Sequence, residues 1–275
     1  MPKNLSSSGQ TGPLSVGNVV SASLRIYRDH FKLYFGLALV ASLWVFVPIY
    51  GWAKYSAISA LISRLAFGEV REKPETVSDA RREVNPRMWS FFGAGILTSL
   101  IYIGVYLGGA IALLVVGVVA APIIGQNGRI IGGLLTAVWI IALFIIYIRI
   151  ISRLLIVEVP LAIENNIGAS SAIARSWELT KGSVGRIQWI VFVGILVSLP
   201  ITIVVQILSS IVQTVLRAVL GAESGIFFLV YSLLIVLLSL GSGALVTPFW
   251  QAMKAIIYYD LRSRKEGLGL QMRKR

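Results

Sequence analysis

The chain contains no cysteine. That absence excludes disulfides, thiol nucleophiles and Cys-based metal sites. Histidine occurs once, as His30 in RDHFK, so no second imidazole can share a metal ion with it. Carboxylates are also scarce, with 12 Asp and Glu against 25 Lys and Arg in 275 residues. Most sit beside bases, as Glu69 does beside Arg71 and Asp260 beside Arg262. No local spacing pairs two of them for acid–base work. GxSxG, Walker and HExxH sequences are missing too. The chain is therefore expected not to be an enzyme and to use no cofactor or metal.

Charge of any kind is sparse, at 13% of residues, while 56% are hydrophobic and the mean hydropathy is +0.82. Those values lie outside the range of soluble domains. What fills the chain instead is uncharged runs: Met88–Gly128, Ile130–Ile148, Ile187–Leu216 and Ser224–Met253. A helix needs about 20 apolar residues to cross a bilayer core, so each run suffices. No polar segment is long enough to bury a core of its own. The expected fold is an all-α, polytopic membrane helical bundle. Phe31–Phe67 could be one long tilted helix or a hairpin bent at VPIYGW, where Pro48 removes a backbone donor and Gly51 relaxes the chain. The hairpin reading predicts six spans, near 33–49, 52–67, 91–124, 129–157, 187–219 and 225–257; the single-helix reading predicts five.

Sidedness favours six. The net charge is +13, but its carriers flank the apolar runs rather than forming one patch. That pattern points to anionic lipid headgroups and away from nucleic acid. With six spans, only Lys54, Arg129 and Arg217 fall toward one face, and the other Lys and Arg residues crowd the opposite, cytoplasmic face. Both termini are then cytoplasmic. Residues 1–13, Ser/Gly-rich with Lys3 as their one charge, are expected to be a disordered tail rather than a signal peptide.

A phrase recurs: ISRLAFGEV at Ile62–Val70 and ISRLLIVEV at Ile151–Val159, aligning Arg64 with Arg153 and Glu69 with Glu158. At a membrane interface such an Arg reaches phosphates while its stem stays in hydrocarbon. Each copy precedes a polar linker and a short helix. TVSDARREV offers Thr76 as N-cap with Asp79 three residues on, and Pro86 to close the segment. ASSAIARSWELTKG places Ala169, Ile173 and Trp177 on one stripe and Gly182 at the stop. Upstream, Val16, Val19, Val20, Leu24 and Tyr27 form another stripe. The chain is thus expected to be one membrane domain, 14–264, with a basic tail over 265–275. Within it are three repeats near 14–70, 74–160 and 168–262. Each repeat is a transmembrane hairpin preceded by a cytoplasmic amphipathic helix.

VPLAIENNIGASSAIARSWELTKG, Val159–Gly182, resembles the signature of the membrane domain attached to some bacterial glycerophosphoryl diester phosphodiesterases. The shared residues are Pro160, Glu164, Ala172, Arg175, Ser176, Trp177, Leu179, Thr180, Lys181 and Gly182. AIIYYDLRSRKEGLGL, Ala255–Leu270, resembles the family's ending through Tyr259, Asp260, Arg262, Arg264 and Gly267. The resemblance implies a multi-pass helical domain in a bacterial cytoplasmic (inner) membrane or another internal membrane. It implies little about activity. In the family, phosphodiester chemistry belongs to a separate soluble barrel with metal-binding His and acidic residues, and this sequence shows no such segment.

Two groups of candidate functional residues follow. Arg64, Arg153, Arg175, Trp177 and Lys181 are expected to contact lipid or a protein partner. Trp177 is the anchor of a helix seated on an anionic surface. Thr202, Gln206, Ser209 and Gln213 recur at helical spacing in the fifth span, followed by Arg217, and either line a substrate path or pack against other helices. Gly104 and Gly108, and likewise Gly241 and Gly243, suggest close helix packing. The expected role is a non-catalytic membrane protein that organises lipid or partner proteins at the cytoplasmic face. The alternative is a small transporter or channel using the polar face, with a lipid-modifying enzyme third.

Overall fold

The structure, a computed structural model, describes residues 14–124 and 128–267. The expected tail at 1–13, most of the tail at 265–275 and the turn at 125–127, expected to face outward, lie outside the described residues. Every described element is helical. In order they are α1 (Val16–Asp29), α2 (Phe31–Trp44), α3 (Tyr50–Val70), α4 (Val77–Val84), a 3-10 turn (Asn85–Arg87), α5 (Met88–Ile124) and α6 (Gly128–Leu154). Then come α7 (Glu158–Ile163), α8 (Ala169–Thr180), α9 (Val184–Leu220) and α10 (Gly225–Glu266).

Local chemistry sets several of these boundaries. Ser15 Oγ accepts from Asn18 N at 3.1 Å and opens α1. Thr76 Oγ1 accepts from Asp79 N at 3.2 Å and opens α4, at the residues expected from the sequence. Ser224 Oγ does the same for α10 through Phe227 N. Gly182 follows α8 with φ +81°, a conformation that glycine adopts without Cβ strain. Pro86 does not end the segment. It sits in the 3-10 turn that feeds α4 into α5.

Four of the helices, α5, α6, α9 and α10, are long and apolar enough to cross a membrane, and α2 is apolar but shorter. The chain does break near Pro48: α2 stops at Trp44 and α3 starts at Tyr50. Gly51 is required there, because a Cβ would collide with the Trp44 carbonyl oxygen and lie 2.8 Å from Val47 Cβ. At 14 residues α2 measures about 21 Å, less than the ~30 Å of a hydrocarbon core. Its partner α3 buries a much larger share of its residues.

Burial divides the molecule into a packed base and projecting shafts. Across 95–118, 132–150 and 195–243, Phe227 is the single buried residue. Side chains such as Leu114 and Val118 stand exposed. The large buried side chains lie elsewhere, among them Tyr34, Leu61, Ile156, Leu179, Ile187 and Tyr258. The second half of α10 runs through this base, burying Met253, Ile256, Ile257 and Tyr258 against α1, α2, α3 and α9. Each fully buried side chain of this size contributes about 1.5–3 kcal/mol. The shafts gain nothing comparable from the protein and suit an apolar solvent.

Two expected faces are rotated. In α1 the buried residues are Val19, Val20, Ser23 and Ile26, while Leu24 is exposed. In α8 they are Ala172, Ser176, Leu179 and Thr180, and Trp177 is 45% exposed. The cause is the same in both. Ser23 Oγ donates to Val19 O, Ser176 Oγ to Arg153 O, and Thr180 Oγ1 to Ser176 O, so these hydroxyls enter the base already satisfied. The glycine expectation also shifts. Gly104, Gly108, Gly241 and Gly243 face open space, and the close approach falls on Gly109. A Cβ there would overlap Leu143, and Trp139 Nε1 donates to its carbonyl at 3.1 Å.

Candidate functional site

Two groups of cations stand out on the polar side of the base. The first group is held by carboxylates or by backbone carbonyls. Arg64, near the end of α3, binds Glu75 through Nε at 2.7 Å and Nη2 at 3.2 Å, and gives Nη1 to Ala162 O at 2.8 Å. Arg87 Nη1 donates to Leu161 O and Glu164 O. Lys254 Nζ lies 2.7 Å from Glu158 Oε1. Arg175 bridges Glu164 and Glu266. Burial alone would lower the Arg175 guanidinium, but hydrogen bonds to Glu266 and Glu164 outweigh it and hold it above the usual arginine range. Tyr258 Oη donates to the same Glu164 at 2.5 Å, and Arg262 joins through Glu266.

The second group surrounds a groove of about 550 Å³ between α6 and α8. Arg153, Ser170, Ile173, Ala174, Trp177, Glu178 and Lys181 line it. The Arg153 guanidinium lies 4.4 Å from the Trp177 ring centroid, and Nη1 donates to Trp177 O at 3.3 Å. Lys181 makes no ion pair among the described residues. Lys265 approaches from α10 and donates to Glu178 O at 2.5 Å. The five residues expected to contact lipid or a partner are therefore divided. Arg153, Trp177 and Lys181 share the groove, whereas Arg64 and Arg175 are held by carboxylates. Phosphates would have to displace those partners first.

The expected polar face is intact on α9 but uses its own backbone. Thr202 donates to Ser198 O and Ser209 to Val205 O. Gln206 is exposed and Gln213 half-buried, and neither side chain has a hydrogen-bond partner among the described residues. A second groove, of about 340 Å³, lies between the first hairpin and α5. Trp52, Tyr55, Phe92, Ile96 and Leu100 make it almost wholly apolar.

Sequence neighbours proved poor guides to ion pairing. Glu69 faces His30 at 3.5 Å rather than Arg71, and Asp260 pairs with Arg186 rather than Arg262. The Asp260 side chain is 3% exposed. Its Oδ1 accepts from Leu14 N at 2.9 Å, while Arg186 Nη1 donates to Leu14 O at 2.9 Å. Among the described residues no three His, Asp or Glu side chains gather as a metal site.

A family model described as the membrane domain of glycerophosphoryl diester phosphodiesterase matches residues 130–274, from α6 onward and more than half of the chain. No curated protein and no solved structure matches it.

Proposed function

Because the chain belongs to the family of membrane domains of glycerophosphoryl diester phosphodiesterase, we propose that this multi-pass membrane protein is non-catalytic. On this reading it organises anionic lipid, or a partner protein, at the cytoplasmic face. The observation that carries the reading is the separation of base from shafts. Exposed apolar side chains dominate the shafts, interrupted by the polar face of α9. Arg153, Lys181 and Lys265, none of them in an ion pair among the described residues, lie together on the base at the shaft roots. Cations at that depth meet headgroups.

The finer topology belongs to the same proposal. Three units, each a short helix followed by two longer ones, correspond to α1–α3, α4–α6 and α8–α10, with both termini on the cytoplasmic side. Four shafts cross fully. The first hairpin, expected to supply two more spans, turns back in the near leaflet. This is supported by its tip residues Val45 and Trp52, which line one groove with Ile96 and Leu100. Leu100 is only about 18 Å along the 37-residue α5. An even number of crossings leaves the sidedness unchanged.

The test is the lipid that accompanies the protein. Protein extracted gently from its native membrane should carry anionic lipid in excess of the bulk extract, and rising salt should reduce the excess. A bulk-like composition at every salt concentration would refute the role. Gln206 favours one second reading, transport, because an unpartnered amide on a shaft suits a wet path. Solute flux into reconstituted vesicles would support that reading instead.

A further inference from the structure

We propose that the groove between α6 and α8 is a specific site for a lipid headgroup bearing a phosphomonoester, gripped by Arg153 and Lys181 with Lys265 at its rim. The inference rests on the cytoplasmic-face reading above and deepens it from general surface attraction to one ligand chemistry.

The first argument is charge. Among the described residues no carboxylate lies within ion-pairing distance of Arg153, Lys181 or Lys265, and the three stand together around one groove. Lys265 lies near Glu178 and close enough to Lys181, Arg153 and Arg264 to feel their positive charge. Glu178 is itself drawn toward Arg175, 3.7 Å away, and its side chain is 71% exposed. Fixed like charges repel one another, so a cluster of this kind is completed by an anion.

The second argument is preorganisation. Arg153 is stacked on Trp177 and anchored by one N–H to the Trp177 carbonyl, while Ser176 holds the Arg153 carbonyl from behind at 2.6 Å. A guanidinium has five N–H donors, which leaves others for a ligand. The third argument is shape. Ile173, Ala174 and the Trp177 ring give the groove an apolar wall beside its cations. That combination fits a phosphate joined directly to glycerol and acyl chains. Choline or ethanolamine headgroups would bring their own cation against three others. A phosphomonoester carries between one and two negative charges near neutral pH, whereas a phosphodiester carries one.

The experiment uses the full chain in phosphatidylcholine nanodiscs doped with equal fractions of either a diacylglycerol phosphomonoester or phosphatidylglycerol. Lipid retained on the protein after release is counted by mass spectrometry. Retention of the monoester should exceed that of the diester by roughly two- to five-fold, the effect of about half to one further charge near basic side chains. The double variant Lys181→Gln, Lys265→Gln should lose this preference. Arg28→Gln, which removes a remote cation 83% exposed, should keep it. Both lysines are exposed, and unchanged far-UV circular dichroism checks that the double variant is folded. Equal retention of the two lipids, or a preference that survives in the double variant, overturns the specific site but leaves the general role standing. Retention of neither lipid above phosphatidylcholine overturns both. Inorganic phosphate should not protect Lys181 from acylation in undoped discs. Protection as strong as the lipid gives would identify a free ion as the ligand and overturn the lipid assignment.

Discussion

Arg64 near the end of α3 donates to the carbonyl oxygen of Ala162 in α7, 2.8 Å away and 98 residues on in the chain. The same guanidinium is chelated by Glu75. Its repeat counterpart Arg153 stacks on Trp177 and lines an open groove. The two arginines of the recurring phrase therefore hold different partners. Arg64→Gln should destabilise the protein by ~2 kcal/mol, since it removes charge-assisted hydrogen bonds at a side chain only 16% exposed. Arg153→Gln should cost less than half of that. Thermal unfolding in one detergent compares them, and equal losses would show that the Ala162 contact contributes nothing.

Asp260 and Arg186 together grip both polar atoms of the Leu14 backbone. Asp260→Asn keeps the shape but removes the charge that balances Arg186. Breaking one side of a buried pair costs about 3–5 kcal/mol. Chymotrypsin should then cut at Leu14 well before the rest of the base opens. Global unfolding without an early N-terminal cut would show that the clamp has no local role.

The shafts were legible in the sequence because uncharged runs of bilayer length admit few other folds. The helices α5, α6 and α9 begin and end within a few residues of the spans expected there, whereas α10 starts where expected but continues to Glu266, past the expected end at 257. The base was not legible to the same degree. Its faces on α1 and α8 turn on whether Ser23, Ser176 and Thr180 can satisfy their hydroxyls on nearby carbonyls, and residue polarity does not carry that information. Its ion pairs join residues far apart, as with Lys254 and Glu158 or Arg186 and Asp260. Local spacing therefore suggested Arg71 for Glu69 and Arg262 for Asp260, and the tertiary fold supplied others. Trp177, expected as the anchor of its helix, is left 45% exposed, and the stripe assigned to it was not the packed one.

Gly51 gives a direct test of the first hairpin. A methyl group there would meet the Trp44 carbonyl and Val47 Cβ, both fixed by the turn. Gly51→Ala should therefore cost roughly 1–3 kcal/mol, as overpacking does. Gly104→Ala, in open space, should be silent by the same thermal measurement. Equal behaviour of the two would mean that the turn at Val45–Ile49 is not tight.

The Cys-free chain allows topology to be mapped with single thiols. Leu270→Cys should be protected from an impermeant reagent in right-side-out vesicles, and Asn127→Cys should be labelled. External labelling at 270 with protection at 127 would invert the sidedness drawn from the Lys and Arg distribution. Val47→Cys at the hairpin tip separates four crossings from six. Protection fits a tip held in the near leaflet, and labelling restores two full spans.

The last expectation concerns turnover. A bound metal ion, held by His and carboxylates, is one common way to promote hydrolysis of a phosphodiester. Here the one histidine, His30, sits at the junction of α1 and α2 with Glu69 as its acidic neighbour at 3.5 Å. Other carboxylates face cations instead: Glu75 faces Arg64, Glu158 faces Lys254, Glu164 faces Arg175, and Asp260 faces Arg186. A divalent cation would have to displace a guanidinium or ammonium already in place, and the positive surroundings would oppose its approach. Purified protein with glycerophosphodiester and added divalent metal is therefore expected to release no product. Metal-dependent release that falls in His30→Ala would place a catalytic centre at the α1–α2 junction. Release that persists in that variant would place it on carboxylates freed from their ion pairs. In either case the organising role would no longer be the primary one.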